Sequence, residues 1–190
     1  MLFRSAGADA LIIEGMEAGG HIGSVSTMAL MTQVLPEISI PGIIAGGIAD
    51  GRGLASALLM GASGVQMGTR FYASAECSAH PNAKEAIVQA TDTDSATTGR
   101  RGGLVRSLKN SLTECYHKME DEGREAQELS QLVRGSSRKA PIEGDIEGGL
   151  VQAGQSLSVI REVLPVQTII DNMMKEAREA YELLRSYFVE

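Results

Sequence analysis

An α/β fold with a parallel sheet is what the sequence predicts, on three observations. Short apolar runs, "DALII", "PGIIAGG" and "GVQMGTRF", each lead into glycine, as buried strands do when they close into tight loops. Stretches of helical length, rich in alanine and leucine, lie between them. The runs begin roughly 20 to 35 residues apart, the spacing that right-handed βαβ crossovers require. Such a series folds as a parallel sheet, either open or closed as a barrel.

In order along the chain, residues 9–13 form the first strand, short, apolar and followed by glycine. A helix is expected within Thr27 to Val34. Residues 41–47, "PGIIAGG", form the second strand, with Pro41 at its start and glycines at its end. "GRGLASALLMGA", residues 51–62, reads as a helix with Gly61 as its stop. "GVQMGTRF" is a third strand, ending in Gly68 and Thr69. After Phe71 the texture turns mainly helical. Glu85 to Ala90 and Gly103 to Glu114 are expected helices, and "KMEDEGREAQEL", residues 118–129, is a charged helix facing solvent. Residues 134–149 read as loop. Gln167 to Phe188 is the clearest amphipathic helix: Ile170, Met173, Met174, Ala177, Tyr181, Leu184 and Phe188 recur at helical spacing. Its methionine pair is expected to fill core.

The bulk properties exclude several classes. A chain of 190 residues is long enough for one domain with a sizeable core. Its net charge of -7 argues against nucleic acid, whose phosphates need a basic surface. No apolar run approaches the roughly 18 residues of a membrane span, and no signal peptide is visible. Two cysteines, Cys77 and Cys115, make no disulfide framework, so a cytoplasmic location is the expectation. Three strands are too few to close a barrel, which takes eight. Only eight residues precede the first strand, so the chain is expected to be the carboxyl part of a larger fold. Residues 1–75 would hold the last barrel strands, and residues 76–190 a helical region.

Ligands of parallel α/β folds bind at the carboxyl ends of the strands. Three glycine loops are expected there: "EGMEAGGHIG", "AGGIADGRG" and "MGTRF". Glycines in such loops let a backbone approach a phosphate, or simply make tight turns; the pattern alone leaves both open. His21 lies between glycines in the first loop. It is either an acid or base near neutral pH or a structural loop residue. His80, before Pro81, is expected to serve a turn, and His117 to be exposed. The histidines and cysteines show no metal-ligand spacing, and no Walker A, G-x-S-x-G or Rossmann fingerprint is present.

With these motifs quoted, "GADALIIEGMEAGGHIG", "PGIIAGGIADGRG" and "GVQMGTRF" resemble the FMN-dependent barrel family of nitronate monooxygenases and enoyl-acyl-carrier-protein reductases II. "STMALMTQV", "AHPNAKEAI", "SLKNSLT" and "GDIEGGLVQAGQS", with Glu14 and Glu17, resemble the reductase branch. The resemblance implies the C-terminal part of a (β/α)8 TIM barrel, an FMN cofactor, and NADH or NADPH as donor. It implies reduction of a trans-2-enoyl thioester on acyl-carrier protein in fatty acid biosynthesis. Gly46 and Gly47 would hold the FMN phosphate from one loop, and Gln66, Met67, Gly68 and Thr69 from the next. Gly19 and Gly20 would lie against the flavin, with Glu14 nearby. His21 matches the family's active-site histidine and could stabilise the developing enolate or protonate it. Gly154 and Gln155, within Ala153 to Ser156, match a loop near residues 145–156 that covers the flavin. A monovalent cation and a homodimer are known in the reductase branch; no metal ligand is assigned. Arg100, Arg101, Arg106 and Lys109 are candidates for docking the acidic carrier. Nitronate oxidation is the alternative activity, with His21 abstracting a proton from a nitroalkane. A non-catalytic fragment is the third reading. The resemblance implies a longer N-terminal part in family members, carrying further strands and part of the flavin site, so this chain alone is expected to bind FMN weakly and to have little activity.

Overall fold

The three expected strands are present and pair in parallel. The structure, a computed structural model, describes residues 7–188. Its strands are β1 (Leu11–Glu14), β2 (Gly20–His21), β3 (Gly42–Ala45), β4 (Gly64–Gln66), β5 (Ser95–Thr98) and β6 (Val105–Leu108). One sheet has the order β1-β3-β4, with Ile13 opposite Ile44 and Ile44 opposite Val65. That row meets Met31 and Leu35 of the α1 region (α1, Thr27–Val34) and Ala57 of α2 (Gly51–Leu59), forming one apolar core. The alternate row, Ile12 and Ile43, faces the other way, and Ile12 is 58% exposed. Parallel sheets are normally covered on both faces; among the described residues this end of the second face is open.

A short α3 (Thr69–Tyr72) follows β4, and α4 (Pro81–Gln89) leads into an antiparallel sheet of order β2-β6-β5. Helices α5 (Ser111–Asp121), α6 (Ala126–Leu132) and α7 (Ser136–Arg138) come next, and α8 (Val166–Ser186) ends the fold. A second core joins Ile87, Leu108, Val151, Ala153, Leu157 and Ile160. Asn110 organises it from the polar side. Its Oδ1 accepts from Thr113 N at 2.9 Å, capping α5, and its Nδ2 donates to Ile146 O and Gly149 O at 2.7 Å. Helix α8 packs closely on α2. A Cβ on Gly51 would lie 2.5 Å from Ala177 N, and Gly51 N donates to Glu176 Oε2 at 2.8 Å.

Several expectations are corrected. Residues 103–114 are not one helix: Val105–Leu108 is the central strand between β2 and β5, and the helix starts only after the Asn110 cap. The mainly helical region thus contains a hairpin whose strand pairing overrides local helix preference. The third strand stops at Gln66, because Gly68 caps α3 and Thr69 turns into the helix. The charged stretch 118–129 breaks at Gly123, whose φ of +75° ends α5, before the Glu125 capping box opens α6. Residues 134–149 hold α7 and a wide helical turn, Lys139–Glu143. Helix α4 begins at Pro81, and His80 caps it by accepting from Asn82 N at 3.1 Å. His117 is half-buried, its Nε2 lying 3.0 Å from Thr97 O. On α8 the buried positions are Ile169 and Met173, while Met174 is 46% exposed, so only one methionine fills core. Both cysteines are free thiols.

Candidate functional site

The carboxyl ends of β1, β3 and β4 open into a cleft of about 240 Å³. Three chain segments wall it. The loop after β1 turns at Gly15, whose N–H donates to Ala45 O at 3.0 Å. Glu17 fixes that loop: its carboxylate accepts from Thr27 N at 2.9 Å, placing a negative charge at the start of α1. The Thr27 hydroxyl sits 2.8 Å from Glu17 Oε2 and 3.0 Å from Gly46 O, and donates to one of them, so the first and second loops meet there. Gly46 and Gly47 have φ of +97° and +76°, a conformation that side chains resist. The third segment, residues 151–156, closes the far side. Gly154 N donates to the buried Thr69 Oγ1 at 2.9 Å, and Gln155 N to Glu17 O at 2.8 Å. Gly19 is required by close approach, because a Cβ there would lie 2.6 Å from the Ala153 carbonyl carbon.

Electrostatics sharpen the cleft. Desolvation raises the Glu14 carboxyl above its ordinary value. The Tyr72 hydroxyl is buried without a hydrogen-bond partner, and desolvation, with Cys77 nearby, pushes its pKa up to about 12. It therefore stays protonated, a donor with nothing to donate to. Arg106 lies beneath the first loop, 5% exposed, and donates through Nε and Nη2 to Met16 O. Burial lowers its pKa and the Glu17 charge opposes that shift. The start of α2 is already satisfied, since Asp50 Oδ1 accepts from Gly53 N and Glu176 from Gly51 N.

Eight of the residues singled out from the sequence line this one cleft: Glu14, Gly19, Gly46, Gly47, Gln66, Gly68, Thr69 and Gly154. Four do not. Met67 and Gln155 flank the lining, Gly20 is buried in β2, and His21 is exposed on β2 at the rim of a different cavity. Arg106 is buried and Arg100 pairs with Glu120 and Asp121, so neither is a free cation for docking. Sequence reading missed Tyr72, Ile48, Gln152 and the structural part of Glu17. Glu17 had a signal, a carboxylate ten residues ahead of a helix start; Gln152 had none.

A family model described as nitronate monooxygenase matches residues 2–176. The chain belongs to the nitronate monooxygenase family. A curated member from Staphylococcus saprophyticus, named "Probable nitronate monooxygenase", is 35% identical over 92% of this chain and 52% of its own. Among solved structures, FabK from Thermotoga maritima superposes with a TM-score of 0.94 at 46% identity, covering 98% of this chain and 60% of that one. A nitroalkane oxidase from Streptomyces ansochromogenes gives a TM-score of 0.80 at 30% identity, over 96% and 55%. The chain therefore spans about half the length of the curated family members it matches.

Proposed function

We propose that the chain takes part in the FMN-dependent reduction of a trans-2-enoyl thioester on acyl-carrier protein, with NADH or NADPH as donor. The observation that carries this reading is the 46% identity to FabK, an enoyl-acyl-carrier-protein reductase II, over 98% of the chain. The nitroalkane oxidase reaches 30%.

The cleft suits a phosphate-bearing flavin. Gly46 and Gly47 present backbone turned by positive φ, and nothing lies within 4 Å of where a Gly68 side chain would start. The unpartnered Tyr72 hydroxyl would donate to a phosphate oxygen there. Thr69 would hold the covering segment in place through Gly154 N. Bound FMN would supply hydride transfer between the nicotinamide and the enoyl β-carbon. The protein's part is to orient and polarise. Gln66 and Glu14, at the strand ends in the cleft lining, would lie beside the ring. Segment 151–156, which supplies Gln152, Gly154 and Ser156 to the lining, would shield the flavin from water on one side. His21 would hold or deliver the proton for the thioester α-carbon, as its exposure on β2 allows.

The test is NADH oxidation by FMN-supplied protein, dependent on a crotonyl thioester. We expect slow, enoyl-dependent turnover, in keeping with the weak FMN binding expected of this chain, and a further loss of about 10²- to 10⁴-fold in His21→Ala with no change in FMN affinity. Nitronate oxidation is the second reading, favoured by the family model and the names of the curated relatives. Oxygen uptake with ethylnitronate and no enoyl turnover would select it.

A further inference from the structure

His21 does not open onto the glycine cleft. It stands at the rim of another cavity, of about 460 Å³, between the turn 99–103 and helices α5 and α6. Its walls differ in kind from those of the cleft. Tyr116 from α5 and Ala126, Leu129 and Val133 from the α6 region supply apolar surface, and Leu129 is 4% exposed. The carboxylate in the lining, Glu120, is turned away. Its two oxygens accept from Arg100 N at 2.8 Å and Arg100 Nε at 2.9 Å, so its charge is compensated. A mostly apolar cavity of several hundred Å³ with a titratable group at its mouth is the ordinary design of a small-molecule site. The glycine cleft is smaller, at about 240 Å³, and sets polar strand ends and glycines beside Ala18, Ala45 and Ile48, a mixed lining that suits a cofactor better than a hydrocarbon chain.

We propose that this cavity receives the acyl tail of the thioester, with the reacting carbonyl near His21 and the hydrocarbon against Leu129 and Val133. The proposal rests on the reductase reading for the nature of the ligand. It makes α6 and the 99–103 turn the determinants of chain length. It also gives a reason for β2: two residues paired with β6 hold His21 at the rim of the tail cavity.

Saturated N-acetylcysteamine thioesters with four- and eight-carbon acyl groups, which cannot be reduced, provide the probe. Their affinities are measured by calorimetry on the FMN-supplied chain without NADH. Each buried methylene tightens binding about fourfold, so the wild type should prefer the eight-carbon ester by at least tenfold. Ala126→Trp fills the cavity from an exposed position, and Ser130→Trp does so from the exposed face of α6. In both, the preference should fall below threefold. No preference in the wild type, or an undiminished preference in the folded variants, overturns the proposal. A chain-length preference without enoyl-dependent NADH oxidation keeps the tail cavity and removes the reductase reading. Turnover without a preference does the reverse.

Discussion

At the scale of single residues, the cleft is decided by groups that cannot be exchanged for near neighbours. Tyr72 carries a buried hydroxyl with no partner, at a cost of about 1–3 kcal/mol for the unmet donor. Tyr72→Phe should therefore leave thermal stability unchanged or slightly higher. If the hydroxyl meets a phosphate, the same change should weaken FMN binding about tenfold, read by quenching of flavin fluorescence. Gly19 has no such freedom, because a Cβ would press into the Ala153 backbone. Gly19→Ala should cost about 1–3 kcal/mol in urea unfolding and release segment 151–156. The glycines were legible in the sequence as loops at strand ends, but their reasons were not. Gly19 makes room for a loop at the other end of the chain, around Ala153, and no local pattern can announce that contact. Tyr72 was invisible for a related reason: it stands just past the strand-like run 64–71, and only the turn at Gly68 into α3 brings it to the cleft.

Among the elements, what could be read and what could not divides along local against non-local pairing. Helices α1 and α2 and strands β1, β3 and β4 carry their own signals: apolar runs, glycine stops, and an Asp50 cap whose Oδ1 accepts from Gly53 N. Strand β6 has none of these. Val105–Leu108 is a strand because β2 and β5 flank it, and both partners are remote in sequence or cryptic. The inward face of α8 is rotated from the expected one for the same reason. The close approach of α2 at Gly51 sets which side faces inward, so Met173 is buried as expected, with Ile169 beside it, while Ile170 and Met174 are exposed. The start of α5 offers a pH test. Glu147 accepts from Ser111 N and its hydroxyl, and these bonds hold its carboxyl below the usual value. A carboxyl lowered by folding adds stability above its unfolded pKa, and that gain is lost as pH falls through the folded value. Glu147→Gln should thus lower the Tm at neutral pH, with the difference from wild type vanishing in acid.

Across the whole molecule, the parallel sheet has one face sealed by α1 and α2 and another that shows Ile12 at 58% exposure. An open apolar face on a parallel sheet is unusual. The purified chain should bind the dye ANS, and Ile12→Asn should reduce that binding while changing stability by no more than about 0.5 kcal/mol. The first loop leads from the parallel sheet into the antiparallel one through β2, which pairs with β6 over two residues only, Gly20 opposite Arg106 and His21 opposite Val105. Because side chains alternate along a strand, the geometry there is a matter of parity. A one-residue slip of β2 along β6 would set His21 opposite Arg106 and turn it to the other face; a slip of two would restore the face one step along. A single deletion that slips β2 against β6 should therefore take His21 off its cavity rim, and a paired one should return it to that face, a reading-frame rule written in backbone geometry.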